Sequence, residues 1–394
     1  MVLKNLSIAG QKGLHGIRIE HDKITGVFPS GTVVPETPIV LSFEGAIVLP
    51  GLINSHEHLD FNLFPKLGGP AYADYTEWGQ DIHTRHKDRI KRVLTIPQPL
   101  RTRWGMYKNL LNGFTTVVNH GAFLDTGSEQ ELVTVFQDCY CLHSLATEKR
   151  WKWKLNSFRR RRDELIVLHI GEGTSSAAAT EVDRLSRWNL FRRPVVGVHG
   201  VALEPGQAEA LRALIWCPDS NFFLYNKTAA IDRLKHLLPI LFGTDSTLSA
   251  SWNGWEQLRL ARTQGMLTDE ELLDGLTGKA AAIWNFPVLG KIETGYQADL
   301  VITKGRDMDS LFAGNPKDIL LVMHRGNIRL FDASLEGQLA AAGHVPATYS
   351  PVLIGNKIKF VQGDLPGLIR DIARYDPEAE LPVSAATWNE TTCQ

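Results

Sequence analysis

The run Val48-Leu49-Pro50-Gly51-Leu52-Ile53-Asn54-Ser55-His56-Glu57-His58-Leu59-Asp60 constrains this chain more than any other stretch. An apolar segment passes through Pro50-Gly51 and ends in two histidines one residue apart. Side chains alternate across a strand, so His56 and His58 share one side and Glu57 takes the other. Two imidazoles held side by side at a strand end can supply two ligands to one metal ion. Taken alone, the pair describes two surface histidines after a strand equally well, because chance pairs are common. Later segments of the chain decide between the two.

A chain of 394 residues has room for one large domain and a smaller one. Apolar residues make up 43% and charged residues 22%, the range of a soluble globular protein. A formal net charge of −1 provides no global field for nucleic acid or an anionic membrane. No stretch approaches the roughly 18 apolar residues needed to span a bilayer. The first residues lack the charged-then-apolar pattern of a signal peptide. Cys139, Cys141, Cys217 and Cys393 are too few and too scattered for a disulfide framework. Cys139-x-Cys141 reads more readily as part of a buried strand than as a metal site. The expectation is a cytoplasmic enzyme.

Short apolar runs punctuated by Gly, Pro and Asp fill residues 1 to about 47 (Leu6–Ile8, Gly16–Glu20, Ile24–Val27, Ala46–Val48) and predict a small sheet. Strands this few need partners, and residues 299–331 offer them, with a tight turn at His324-Arg325-Gly326. The predicted domains are therefore residues 1–49 and 290–335 as two parts of one β domain, and residues 50–289 as a large insertion. A C-terminal extension, 336–394, carries an amphipathic segment, a hairpin around Gly355-Asn356 and a polar tail of partial order. Within the insertion, apolar runs alternate with helical patterns, which argues for a parallel sheet with crossover helices. The predicted strands end at His120, His143, His169, His199, Cys217 and Asp245. Parallel barrels place their reactive side chains at such C-terminal strand ends. Only about twenty residues separate His143 from Leu165. The fourth strand is therefore expected there as a very short or irregular one.

Seven segments carry a resemblance. They are Leu49–His58, Gly113-Phe114-Thr115-Thr116-Val117, His169-Ile170-Gly171-Glu172, the strand ending in His199, Cys217-Pro218-Asp219-Ser220-Asn221, Gly243-Thr244-Asp245-Ser246, and Gly295-Tyr296-Gln297-Ala298-Asp299-Leu300. Each is weak alone, but together they resemble, in order, the amidohydrolase superfamily, and most closely its chlorohydrolase and ring-deaminase branch, over roughly residues 1–335. The resemblance implies an α/β fold: a distorted (β/α)8 TIM-like barrel beside a small composite β-sandwich built from both termini. By position it implies that His56, His58, His169 and Asp245 hold one divalent metal. Three neutral imidazoles and a carboxylate suit Zn²⁺ first and Fe²⁺ second. Such an ion makes hydroxide available near neutral pH. The resemblance makes Asp245 and His199 the groups that manage the water proton, and Glu172 the acid that protonates a ring nitrogen while hydroxide attacks the adjacent carbon. A ring must lose aromaticity before ammonia leaves, so such a donor is needed.

The implied function is a metal-dependent aminohydrolase acting on a small nitrogen-containing heterocycle and releasing ammonia. Hydrolysis of a cyclic or acyl amide, or of a ring C–N or C–halogen bond, is the alternative on the same site. A non-catalytic scaffold that keeps the barrel is the rival of another class. A homodimer is common among such proteins. Dinuclear relatives use a carboxylated lysine on the fourth strand; here Lys149, Lys152 and Lys154 sit in a polar run, which favours one ion. That run, with Arg159 to Arg162, reads as a solvated face rather than a nucleic-acid site. Trp78, Phe123, Trp252 and Trp255 fall near expected barrel mouths, so a planar substrate can stack on one of them, with Trp78 and Trp252 the first candidates. Asn119 and His120 end the second strand and are further candidate substrate contacts. His83-x-x-His86 reads as an exposed helical pair.

Overall fold

The computed structural model describes residues 1–34, 37–69, 71–127, 131–343 and 348–387. Leu52–Glu57, Phe114–Asn119 and Thr134–Phe136 pair in parallel in one three-stranded sheet. Tyr140–Ser144, Ile166–Ile170, Val195–His199, Ala213–Trp216 and Ile240–Phe242 pair in parallel in a five-stranded one. In most of these strands every residue is buried, as expected when a parallel sheet is covered on both faces. The first and last strands meet where the Asp245 amide donates to the His56 carbonyl (3.1 Å). Together the two sheets make the eight-strand wall of a TIM-like α/β fold.

One strand differs from the expectation. Thr134–Phe136 is the third, and the run taken from Cys139 to His143 is the fourth, beginning only three residues later. A parallel crossover needs a dozen or more residues, so no helix fits between these two strands. The seam between the two sheets falls there. The interval expected to hold a cramped fourth strand instead carries one short helix, Trp151–Leu155, among the described residues. Thr-Val-Phe is too short to stand out as an apolar run, which is why the pattern misses it.

Both termini build one continuous sheet of ten strands. Val40–Pro50 joins the strands of the two termini, parallel to Val2–Ile8 and antiparallel to Leu300–Lys304. The sheet curls so that Leu3 and Ile17 from the N-terminal half share one apolar core with Leu321 and Phe331 from the C-terminal half. Tyr349–Ile354 and Lys357–Gln362 form the hairpin at Gly355-Asn356 and extend the same sheet, with Val383–Ala385 at its edge. The amphipathic segment is the helix Leu365–Tyr375, with Asp376 beyond it paired to Arg89 (2.6 Å). The end of the polar tail, including Cys393, lies outside the described residues.

Sheet and barrel are joined at Gly51. A Cβ there would stand 2.2 Å from the Thr115 hydroxyl and 2.8 Å from the Asp299 Cβ, so only glycine lets the strand leave the sheet at this point. Asp299 is buried and saturated: His324 Nδ1 lies 2.9 Å from one oxygen, while the Arg325 amide (2.7 Å) and Gln297 (3.0 Å) donate to the other. Among the described residues no helix is long and apolar enough to cross a membrane.

Candidate active site

His56 and His58 project from the end of Leu52–Glu57 toward the barrel mouth, and Glu57 points the opposite way, as alternation requires. Behind the strand, Glu57 accepts from Lys108 (2.7 Å), Thr244 (3.1 Å), Asn109 (3.2 Å), Asn62 (3.1 Å) and the His58 amide (3.1 Å). Lys108 also donates to the Asp245 carbonyl (3.1 Å). This buried ion pair therefore fixes both the first strand and the loop that carries Asp245.

Donor atoms of His56, His58 and Asp245 lie within 4.8 Å of one another, and so do those of His56, His169 and His199. His56 is common to both groups. Its Nε2 lies 3.2 Å from His169 Nε2 and 3.8 Å from Asp245 Oδ1, and His58 Nε2 lies 3.9 Å from the same oxygen. The edge of a tetrahedron of nitrogens about 2.05 Å from an ion is about 3.3 Å, so His56 and His169 are spaced as two ligands of one cation. The His169 Nδ1 faces the His143 carbonyl at 3.1 Å. A carbonyl only accepts, so the proton sits on Nδ1 and the Nε2 lone pair is free for a metal.

Asp245 is turned inward by a left-handed backbone, φ +56°, and His199 by φ +71°. Such conformations cost roughly 1–2 kcal/mol each in a non-glycine residue, and they cluster at functional sites. Burial pushes the Asp245 carboxyl up, but His58, His199, the Ser246 amide (2.7 Å) and Ser220 (2.9 Å) outweigh it and hold it below its ordinary value. Ser249 donates to the same oxygen as Ser220 (2.9 Å). Burial and the surrounding histidines drive the His56, His120 and His169 imidazoles well down, so they are neutral and able to ligate.

His199 Nδ1 faces Asn221 Oδ1 at 2.9 Å, and its Nε2 lies 3.6 Å from Glu172 Oε1. Tyr225 donates to that Glu172 oxygen at 2.9 Å. Burial raises the Glu172 carboxyl, and Asp245 adds to the rise against the pull of His199 and Tyr225. The result is an acid poised above the usual carboxylate range. Beneath it, Glu181 accepts the Gly171 amide (2.9 Å), and burial pushes its carboxyl up to about 7.

A cavity of about 550 Å³ opens over these groups, lined by His58, His169, Glu172, His199 and Asp245 and by Phe61, Tyr75, Trp78 and Leu224. Trp78 lies on this wall, its indole N–H donating to the Leu67 carbonyl at 2.8 Å. Trp252 is not in this cavity. The loop after Asp245 has already left the mouth when it reaches Trp252, which lines a separate depression beside Lys66 and Glu378. Asn119 also lies outside: its amide is spent on the Leu59 amide (3.2 Å), the Ala122 carbonyl (3.4 Å) and Gln137 (3.3 Å). His120 packs its ring 4.3 Å from that of His169 and lines the neighbouring cavity instead. Phe123 is exposed and Trp255 is fully buried against Asn112. His83 reaches the cavity rim, and no metal group among the described residues includes it or His86. None of residues 149–162 lines the cavity.

Sequence reasoning did not find Lys108, Tyr225, Ser249 or Glu181. Tyr225 had a signal, since it stands four residues after Asn221 on the helix Pro218–Tyr225 and so shares its face.

Fold and site together describe an α/β barrel with histidines and a carboxylate gathered at its mouth, and known proteins resemble it. The profile of the amidohydrolase family matches residues 160–329. A protein of Caldicellulosiruptor saccharolyticus named 5-methylthioadenosine/S-adenosylhomocysteine deaminase is 22% identical, over 81% of this chain and 89% of its own. One of the same name from Caldanaerobacter subterraneus is 21% identical, over 77% and 84%. Among solved structures, a zinc-bound adenosine deaminase from Xanthomonas campestris superposes with a TM-score of 0.66 at 17% identity, covering 87% of this chain and 96% of its own. Atrazine chlorohydrolase of Arthrobacter aurescens, complexed with zinc, gives 0.62 at 17% identity, covering 87% and 99%.

Proposed function

We propose that this chain is an aminohydrolase that uses one catalytic divalent ion, Zn²⁺ before Fe²⁺, to remove an amino group from a nitrogen-rich ring, with aminopurine nucleosides the first class to try. Relatives named for deamination of adenosine derivatives support the substrate class. His56, His58, His169 and Asp245 would hold the ion: three neutral imidazoles and a carboxylate whose donor atoms converge on the mouth. When bound, such an ion acidifies water and so supplies a nucleophile near neutral pH.

The chain's own residues handle the protons. Asp245 and His199 flank the approach to the ring carbon, take the proton that water gives up and return it to the departing amino group, which leaves as ammonia. Glu172, protonated at the start, delivers its proton to the ring nitrogen next to that carbon, and Tyr225 holds the carboxyl in place. Trp78 and Phe61 wall the cavity against solvent and offer faces to a planar substrate. The free thiols of Cys139, Cys141 and Cys217 agree with action in the cytoplasm.

The observation that carries this reading is Glu172: a buried carboxyl with a raised pKa, 3.6 Å from His199 and on the cavity wall. Protonating the ring nitrogen activates the adjacent carbon whichever group leaves. An amine is a far poorer leaving group than chloride and depends on it more, so a carboxyl with a raised pKa on the cavity wall favours deamination. The experiment is ammonia release from adenosine, S-adenosylhomocysteine, guanine, pterins and aminotriazines, with and without Glu172→Gln. Ammonia from at least one ring, falling about 10²–10⁴-fold in the variant, is the expected result. Turnover of a chlorotriazine with no ammonia from any amino-substituted ring would replace deamination with halide displacement.

A further inference from the structure

The mouth holds more histidines than one ion needs. His56, His58 and His169 serve the proposed catalytic ion, and His199 is engaged by Asn221 and Glu172. That leaves His120, at the end of the second barrel strand, and His143, on the fourth. His120 is 3% exposed, and neither of its ring nitrogens has a hydrogen-bond partner. Burying a polar ring with both nitrogens unpaired is unfavourable, and native interiors seldom do it without a ligand. Its neighbours are themselves imidazoles: ring centroids lie 4.3 Å away at His169, 5.1 Å at His56, 5.4 Å at His58 and 6.1 Å at His143. Neutral imidazoles cannot all donate to one another, whereas a cation accepts several lone pairs at once.

We propose that His120, His143 and His169 form a second divalent-metal site beside the catalytic one, with His169 shared between the two ions. One donor atom from each of the three lies within 4.8 Å of the others. The Nδ1 atoms of His143 and His169 stand 3.0 Å apart, close to the spacing of two nitrogens on one cation. His169 Nε2 faces His56 while its Nδ1 faces His143, so the ring points one nitrogen at each site. The Nδ1 proton that the His143 carbonyl accepts would leave as the second ion binds, and the ring would bridge as an imidazolate. A cavity of about 430 Å³, lined by His58, His120, His143 and Glu148, gives this ion its own approach. All-imidazole coordination suits Zn²⁺, Co²⁺ or Cu²⁺ and disfavours Mg²⁺ and Ca²⁺.

The site rests on the proposed function only for the position of the first ion, and its test counts metal rather than turnover. Tag-free protein is stripped with chelator, reloaded with Co²⁺ or Zn²⁺, gel-filtered and assayed for metal per chain. Two ions in the wild type, falling to one in His120→Asn and in His143→Asn, is the expected result. The Co²⁺ absorption of the protein should fall by about half in each variant. One ion in the wild type at saturation overturns the second site and leaves the first standing. Zero ions overturns both. Two ions that persist in both variants also overturns it, and because the wild-type count decides the first outcomes, a variant that fails to fold does not rescue the idea.

Discussion

The two faces of the strand Leu52–Glu57 bury ionisable groups in opposite ways. On one face Glu57 has donors on both oxygens, and its Lys108 partner reaches on to the Asp245 carbonyl. On the other, His56 Nδ1 and both nitrogens of His120 are buried with no partner. The first face is complete within the protein, while the second leaves buried ring nitrogens unpaired. The contrast separates what holds the fold from the face proposed to perform the chemistry, although the two lie one residue apart.

The largest effect that could break this contrast is at Asp245. Asp245→Asn should lower turnover about 10²–10⁴-fold while shifting metal-free stability by no more than about 1 kcal/mol. Added Zn²⁺ should raise the melting temperature of the wild type and barely move the variant, because a ligand stabilises only the state that binds it. Equal loss of stability and turnover would mean that the histidine face is part of the scaffold.

Next is Glu57→Gln, which leaves Lys108 charged, buried and unpaired. Urea unfolding should show a loss of about 3–5 kcal/mol, the usual result of removing half of a buried pair. A loss under about 1 kcal/mol would show that the completed face carries little.

The smallest effect is at Glu181, buried with the Gly171 amide as its hydrogen-bond donor. Its carboxyl is raised from 4.5 to about 7 in the folded chain, so the folded state keeps a proton that the unfolded chain has released. Stability from this group is full below about pH 4.5 and is lost as pH rises toward 7, by up to about 3 kcal/mol. Glu181→Gln should remove that slope and unfold at higher temperature than the wild type at pH 8. Parallel melting curves from pH 5 to pH 8 would count against it.

The sequence made the reactive face legible for a physical reason. A parallel barrel exposes its chemistry at strand ends, and His56, His58, His169 and His199 each terminate an apolar run. The completed face was hidden. Lys108 lies in the helix Gln98–Leu111, where a lysine ordinarily reads as solvent-facing, and only the fold shows Glu57 opposite it. Trp252 misled because closeness in sequence to Asp245 was read as closeness to the mouth. Thr134–Phe136 was missed because three residues make no pattern, and the strand after it was then numbered one too low.

That brief strand also bears on how the chain assembles. With no helix behind it among the described residues, the barrel wall there is met by the terminal sheet: Thr134 contacts His324 (3.2 Å) and Arg325 (3.2 Å), and Glu131 pairs with Arg329 (3.6 Å). Those partners are translated almost two hundred residues later. During synthesis the flank of the half-made barrel stays bare until the C-terminal strands leave the ribosome, so the nascent chain depends on its last third to close its middle.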